Sequence, residues 1–374
     1  MAIYTEISTL PDEGDQLLNR SPQRSLATGL LLFLTACATP STRPPEVSPR
    51  AIAIEEANQR RFVVEELEQS QRRLDDIGFP LLVAATPFCA ERITRRIGVR
   101  AGTVADYAEE LAEAVSASLS LTDTLTILGV ARGSPAHEAG LASGDRIMRA
   151  AGRPVPRGRG AAGALMEAVT NSTSETLRLE VTRGGRSLTV DATPVRICDY
   201  GLVVTAGGDI NAYADGDRVI VPWAMMRFAT DDDLTAIVGH EVAHNAMGHI
   251  EARKKNMLLG GLLGAALDIA AGADVNSNQS ATASFMGMAA EAYSQDFERE
   301  ADYVGAYIAA RAGHSLEGTP LFWRRFASVN PSAISYAGSH PTTAERFVRL
   351  QRIIEEIQAK LRAGEELLPE TARP

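Results

Sequence analysis

The sequence has little of several features that define common classes of protein. It lacks an excess of positive charge, because its 374 residues include 47 acidic and only 37 basic side chains. A net charge of −10 argues against binding to a phosphate backbone, so we expect no nucleic-acid partner. The chain also lacks an internal repeat, a phosphate-binding loop and a nucleophilic serine with its catalytic partners. It has only three cysteines and six histidines, so the positions of these few residues are informative.

Two of the six histidines lie in the pattern HExxH, within an apolar run. On a helix, residues four positions apart share a face, so His240 and His244 are predicted to converge on one metal ion. Glu241 lies one residue round the helix, where its carboxylate can reach a water on that metal without ligating it. Zinc suits two imidazoles and a carboxylate, and it lowers the pKa of a water in its open position to about 7. The alternative is two histidines on a solvated helix face.

The third ligand is predicted in the run SQDFEREADYVG, further along the chain. Glu298 and Asp302 share a helix face there. Glu298 would complete a His-His-Glu zinc site, and Asp302 would hold a ligand histidine in the correct tautomer. Without HEVAH, this run would be interpreted as a solvated charged turn. Glu300 points off that face and ranks below Glu298. His249 lies five residues after His244 rather than the six of the metzincin pattern, so we interpret it as a packing or surface histidine.

Three motifs then occur in the order typical of one peptidase family: HEVAHNAMGH, EREADYVG and SHPTTAER. The chain resembles the HtpX and CAAX prenyl protease peptidase family, and within it the BepA-like and LoiP-like lipoprotein proteases of the bacterial envelope. The resemblance implies a single zinc ion, with His240, His244 and Glu298 as its ligands and Glu241 as the catalytic residue.

The resemblance assigns two further residues to the site. His340 and Arg346 are expected to face it, with Arg346 outside the ligand set. A neutral His340 imidazole is predicted to occupy the open position of zinc as a gate, or to donate a hydrogen bond to the oxyanion in the transition state. A structural alternative stays open, because Pro341 suits the first position of a helix.

Peptide binding by strand addition is expected at two places. The resemblance identifies INAYA as an edge strand, in which Asn211, Ala212 and Tyr213 pair with the substrate backbone. The run GSPAHEAGLASGDRI resembles a PDZ domain, a module that binds an extended peptide at a sheet edge. A spacer domain that shapes access to the site is the alternative for this second region.

The N-terminal residues look like a bacterial lipoprotein signal. Arg20 and Arg24 precede an apolar stretch that is too short to span a membrane, and LTAC then looks like a lipobox with Cys37 as the lipid-modified residue. Ala38, rather than Asp, implies sorting to the outer membrane. The protein is therefore expected in the periplasm, anchored to the membrane through Cys37. A plain secretory signal or an N-terminal helix is the alternative.

The other two cysteines, Cys89 and Cys198, flank the PDZ-like region. In an oxidising periplasm they are predicted to form a disulfide, and two buried free thiols are the alternative.

Two helical segments are also predicted. A charged helix is expected over about 52–77, ended by Phe79-Pro80. Residues 257–292 are rich in Leu, Ala and Gly, but two aspartates within them argue against a membrane span.

The whole sequence predicts an α+β fold: a mainly helical gluzincin domain with a small sheet, and an inserted β-rich PDZ-like domain. The predicted order is a signal peptide, a Pro/Ser/Thr-rich tether, the first part of the peptidase domain, the PDZ-like domain and the rest of the peptidase domain, at 1–36, 37–50, 51–98, 99–197 and 198–374. The predicted function is a zinc metalloendopeptidase that cleaves misfolded or unassembled envelope proteins. The alternative is a chaperone or assembly adaptor that binds outer-membrane protein clients with little proteolysis. The intact HExxH motif favours the enzyme, since an adaptor has no need of Glu241.

Overall fold

The computed structural model describes residues 42, 44–172, 174–271, 282, 294–329, 331 and 344–371. The predicted signal peptide, Cys37, His340 and Pro341 lie outside these residues. Within them the protein combines a helical unit that carries small sheets with a β-rich unit. The predicted α+β fold class is confirmed.

The longest helix, α1, spans Pro49–Ala84. The side chain of Ser48 caps it by accepting a hydrogen bond from the backbone N–H of Ala51 at 3.2 Å. Its buried side chains pack against both units, so α1 connects the two parts of the molecule.

The predicted end of this helix at Phe79-Pro80 is wrong, because α1 continues through Pro80 to Ala84. A proline inside a helix costs about 3 kcal/mol. Leu81 and Leu82 are both buried in the core of the helical unit, and burying each leucine contributes about 1.5–3 kcal/mol. Tertiary packing therefore outweighs the local signal.

The β-rich unit is built on a six-stranded sheet. Its strands are β2 (Val99–Gly102), β3 (Thr126–Val130), β4 (Arg146–Ala150), β5 (Arg153–Pro154), β6 (Leu177–Arg183) and β7 (Arg186–Ala192). They lie in the order β2-β3-β4-β6-β7, and β5 pairs with β4. Three short helices complete the unit: α2 (Ala112–Leu119), α3 (Pro135–Glu138) and α4 (Ala161–Thr170). Gly184 and Gly185 have positive φ angles of 55° and 78°, which the tight turn between β6 and β7 requires.

A partly buried ion-pair cluster joins this unit to α1. Arg100 on β2 donates to Glu68 at 2.7 Å and to Asp75 at 2.8 Å, and both carboxylates belong to α1. The Tyr107 hydroxyl also donates to Glu68, at 2.8 Å. The Glu68 side chain is almost fully buried, so these partners are needed to satisfy its charge.

A two-stranded antiparallel sheet links the two units, formed by β1 (Ile93–Arg96) and β8 (Val195–Cys198). Beside it, Cys89 and Cys198 form a disulfide with their Cα atoms 5.9 Å apart. The bridge therefore closes the chain around the β-rich unit.

The helical unit contains a three-stranded sheet and six further described helices. The strands are β9 (Gly201–Thr205), β10 (Tyr213–Ala214) and β11 (Arg218–Pro222), in the order β10-β11-β9. The helices are α5 (Trp223–Phe228), α6 (Asp231–Ala246), α7 (His249–Ala271), α8 (Ser294–Arg311), α9 (Thr319–Val329) and α10 (Ala344–Ala363). In the described part of the chain, every helix is too short or too polar to cross a membrane.

The helix that carries HEVAH, α6, is almost entirely buried. Its start is set by a capping box: Asp233 N–H donates to the Thr230 hydroxyl at 3.3 Å, and Asp233 accepts from Thr230 N–H at 2.8 Å. The helix then runs through the centre of the largest hydrophobic core, which also includes residues of α1, α8, α9 and α10.

Candidate metal centre

The structure brings His240, His244 and Glu298 together. The Nε2 atoms of the two histidines lie 3.1 Å apart, and they lie 3.4 and 3.2 Å from the two carboxylate oxygens of Glu298. The ligand atoms of a tetrahedral zinc site with bonds of about 2.0–2.1 Å lie about 3.3–3.4 Å apart. The three side chains therefore have the donor types and the spacing that a zinc ion requires.

Two glycines explain how helices α6 and α8 can approach closely enough to form this triangle. A Cβ atom at Gly305 would lie 2.9 Å from the backbone of Gly239 and His240, and a Cβ at Gly239 would lie 3.0 Å from the Gly305 carbonyl oxygen. The two backbones therefore touch at Gly239, the residue before His240, and at Gly305, about two turns after Glu298. This contact places Glu298 of α8 opposite the histidines of α6.

Asp302 lies behind His240, as the spacing on the helix predicts. Its carboxylate is 3.0 Å from His240 Nδ1, so Nε2 is the nitrogen that faces the other ligands. Arg346 on α10 donates two hydrogen bonds to Asp302, of 2.8 Å from Nε and 2.6 Å from Nη2. Burial alone would raise the pKa of Asp302, but Arg346 and the hydrogen bond with His240 hold it below its usual value.

Trp323 on α9 is a part of this site that sequence reasoning missed. Its ring lies 3.5 Å from the guanidinium carbon of Arg346, and its centroid is 6.0 Å from that of His240. A tryptophan under a buried guanidinium contributes a cation–π interaction and covers the site on one side. No motif in the sequence signals this contact, since α9 carries no pattern linked to the metal ligands.

His249 and Glu300 extend a second hydrogen-bonded chain behind His244, as Asp302 and Arg346 do behind His240. His249 Nδ1 is 3.0 Å from His244 Nδ1, and His249 Nε2 is 2.9 Å from the Glu300 carboxylate. His249 is 3% exposed, so the surface interpretation is wrong and the packing interpretation is incomplete. Glu300 lies off the ligand face, as expected, but it contacts His249.

Burial and hydrogen bonds together set the pKa values of the two histidines. Burial alone would lower the pKa of His240, but hydrogen bonds to Asp302 and Glu298 raise it to about 9. For His244, burial is the largest effect and lowers the pKa. A divalent cation between these groups would bind the Nε2 atom of each histidine and the Glu298 carboxylate at the same time.

Glu241 is 2% exposed and follows His240 on the buried helix α6. A carboxylate in this place is kept beside the ligands rather than on the protein surface.

The predicted edge strand is shorter than expected. Of the three predicted residues only Tyr213 lies in β10, while Ala212 is buried in the core and Asn211 precedes it. β10 is one of the two edge strands of its sheet. The Asn245 side chain of α6 holds the turn after β10. It accepts a hydrogen bond from Gly216 N–H at 2.8 Å and donates one to the backbone carbonyl of Arg218 at 3.0 Å.

Comparison with known proteins identifies both units. Residues 180–354 match peptidase family M48, and residues 97–193 match the PDZ domain family. The chain contains a peptidase family M48 domain and a PDZ domain. The resemblance predicted from the three motifs is thereby confirmed, and the cluster lies in a metallopeptidase domain. The predicted domain boundaries stay predictions.

Two curated relatives share part of the chain. Metalloprotease YcaL of Escherichia coli (strain K12) is 29% identical over 169 residues, which cover 42% of this chain and 61% of that protein. Metalloprotease LoiP of the same organism is 28% identical over 142 residues, which cover 37% of this chain and 56% of that protein. The chain thus spans about three-fifths of the length of the curated relatives it matches.

A solved structure of a PDZ domain also aligns with part of the chain. The HtrA3 PDZ domain bound to a phage-derived ligand is 28% identical, covers 28% of this chain and 88% of that chain, and has a TM-score of 0.22. The assignment of the PDZ domain rests on the family match.

Proposed function

We propose that the protein is a zinc-dependent endopeptidase in which His240, His244 and Glu298 hold the metal. The observation that carries this proposal is the triangle of donor atoms on two buried histidines and the partly buried Glu298, with Glu241 next to His240 on α6. Two imidazoles and one carboxylate suit zinc better than they suit magnesium or calcium, which prefer oxygen ligands. Among the residues that the structure describes, the cluster supplies three ligands, the number typical of catalytic zinc sites rather than structural ones.

In this proposal the chemistry of the chain's own residues is acid–base catalysis. Zinc supplies the Lewis acidity that makes a water nucleophilic near neutral pH and polarises the peptide carbonyl. Glu241 takes a proton from the attacking water as the new C–O bond forms. It then gives that proton to the leaving amine as the C–N bond breaks. Asp302 and Arg346 hold His240 in the tautomer that presents Nε2 to the metal.

The substrate is proposed to enter as an extended chain beside β10. Because β10 is an edge strand and the turn that follows it is tied to α6 through Asn245, a peptide added to β10 would run along the helix that carries the ligands. The PDZ domain is proposed as a second peptide-binding surface. The substrates that fit both surfaces are unfolded segments of misfolded or unassembled envelope proteins.

The test of this function is the variant Glu241→Gln. Glutamine keeps the shape of the side chain but cannot accept the proton of the water, so cleavage of an unfolded outer-membrane protein should fall on the order of 10²–10⁴-fold. Zinc content, measured on the purified protein, should stay at that of the wild type. Glu251→Gln is the matched control, because Glu251 is an exposed carboxylate of α7 that pairs with Lys254. This variant should cleave the substrate at the wild-type rate.

The other outcomes of this experiment are equally informative. Wild-type protein that retains zinc but leaves every unfolded substrate intact would support the adaptor alternative. Loss of zinc together with activity in Glu241→Gln would give Glu241 a structural role and contradict the proposed mechanism.

We further propose that the protein lies in the periplasm, anchored to the outer membrane by lipid on Cys37. Two features support this: the lipobox-like LTAC sequence and the Cys89–Cys198 disulfide, because disulfides persist in oxidising compartments. Replacing Cys37 by Ser should move the protein from the membrane fraction to the soluble fraction, since acyl chains then no longer hold it. Retention of this variant in the membrane fraction would reject the anchor.

A further inference from the structure

The positions of His244, His249 and Glu300 determine which ring nitrogens donate and which accept in the hydrogen-bonded chain behind His244. His244 directs Nε2 towards Glu298 and His240, and its Nδ1 towards His249 Nδ1 at 3.0 Å. If Nε2 ligates a metal, the ring proton of a neutral His244 must lie on Nδ1, because a nitrogen cannot bind both. His249 Nδ1 must then accept this proton, and the proton of the His249 ring lies on Nε2. That nitrogen faces the Glu300 carboxylate at 2.9 Å, which accepts it.

The surrounding structure holds His249 in this place. Gly248 has a φ angle of +69°, a left-handed conformation that favours glycine and turns the chain sharply between α6 and α7. His249 is the first residue of α7, so its ring folds back onto His244 at the end of α6, with ring centroids 5.0 Å apart. On its other side the ring stacks on Phe297 of α8 at 4.6 Å and an interplanar angle of 16°.

We propose that His249 and Glu300 are positioning residues that orient His244 for the metal through the hydrogen-bond chain His244–His249–Glu300. The proposal rests on the proposed function of the cluster as a zinc site. Each ligand histidine then has its own support: His240 is held directly by Asp302, and His244 is held by Glu300 through an intervening imidazole. Helix α8 supplies the ligand Glu298 and the outer ends of both supports, so its approach to α6 sets all three contacts.

The two supports differ in one physical respect. Asp302 is fully enclosed, whereas the Glu300 side chain is 47% exposed. The chain from His244 therefore ends in a solvated carboxylate, where a substitution has little effect on core packing. Replacing Glu300 therefore tests the support of His244 without disturbing the folding of the domain.

The experiment compares His249→Leu with His249→Gln. Leucine keeps an apolar contact with Phe297 but neither accepts from His244 nor donates to Glu300. Glutamine keeps one acceptor and one donor. Loss of a hydrogen-bonded support behind a ligand typically lowers metal affinity 10–100-fold. We expect a fall of about that size in zinc affinity for His249→Leu, measured by competition with a chromogenic chelator, and a smaller fall for His249→Gln.

A spectroscopic measurement separates orientation of the ligand from general destabilisation. With Co²⁺ in place of zinc, His249→Leu should change the visible absorption bands, because the direction and basicity of His244 change. Glu300→Leu should shift the bands and the zinc affinity in the same direction, while Glu300→Gln, which keeps an acceptor, should lie closer to the wild type. Asp296→Asn is the control on the same helix, since Asp296 is an exposed partner of Arg299.

The outcomes are distinguishable from a failure of the proposed function. Wild-type protein that binds no zinc would reject the metal site itself. Wild-type zinc affinity and Co²⁺ spectrum in both His249→Leu and Glu300→Leu would reject the positioning role while leaving the site intact. If His249→Leu does not fold, the two Glu300 variants decide the question.

Discussion

Arg346 is the residue on which most contacts behind the ligands depend. It donates twice to Asp302, lies over the ring of Trp323, and has a nitrogen 3.8 Å from Glu298. A planar guanidinium suits this arrangement because it binds both oxygens of one carboxylate while its face packs on an aromatic ring. A lysine ammonium has neither property.

Arg346→Lys should therefore weaken the support of His240 while keeping the charge. We expect zinc affinity to fall about 10–100-fold, measured by chelator competition, because Asp302 loses one of the two hydrogen bonds that Arg346 donates and with it its orientation. Arg349→Lys is the matched control on the same helix, since Arg349 pairs with Glu345 nearer the surface and should change zinc affinity little. Equal affinities for the two variants would contradict this role of Arg346.

At the scale of elements, the site depends on the contact between α6 and α8. Neither helix alone places three ligands around one point: α6 supplies two imidazoles and α8 supplies one carboxylate. Their backbones meet at Gly239 and Gly305, where a side chain would not fit. The same contact brings Asp302 to His240 and Glu300 to His249.

Gly305→Ala tests this contact. A Cβ atom 2.9 Å from backbone atoms of Gly239 and His240 must push the helices apart, so we expect destabilisation of about 1–3 kcal/mol and a lower zinc content. Chemical denaturation and metal analysis measure the two effects. Gly163→Ala in α4 is the control: its Cβ would meet nothing within 4 Å, so alanine should stabilise the protein by about 0.5–1 kcal/mol. Wild-type stability and zinc content in Gly305→Ala would show that the contact is not required.

At the scale of the whole molecule, the PDZ and peptidase domains are connected by more than the chain. The Cys89–Cys198 disulfide lies where the chain leaves and re-enters the helical unit, and Arg100 of the PDZ domain is paired with Glu68 and Asp75 of α1. Removing Arg100 would take a charged partner from the buried Glu68 carboxylate, which is destabilising. The PDZ domain is therefore held against α1, and α1 in turn packs on α6.

The sequence by itself determined the features that depend on local periodicity. Residues four apart on a helix face the same way, so HEVAH and EREAD were sufficient to predict that His240 and His244, and likewise Glu298 and Asp302, point in common directions. The order of the three motifs was sufficient to predict the family, and the run GSPAHEAGLASGDRI was sufficient to predict the PDZ domain.

Only the tertiary structure decided which residues of other elements pack against those helix faces. The passage of α1 through Pro80, the cover of Arg346 by Trp323, and the chain from His244 to Glu300 all join residues on separate elements. No spacing along the chain relates such residues, because their contacts arise from the packing of helices against one another. His249 shows the reason most directly. In the sequence, His249 lies one residue short of the third histidine of the metzincin pattern. Its buried position behind His244 arises because Gly248 turns the chain and Phe297 of α8 stacks on the ring.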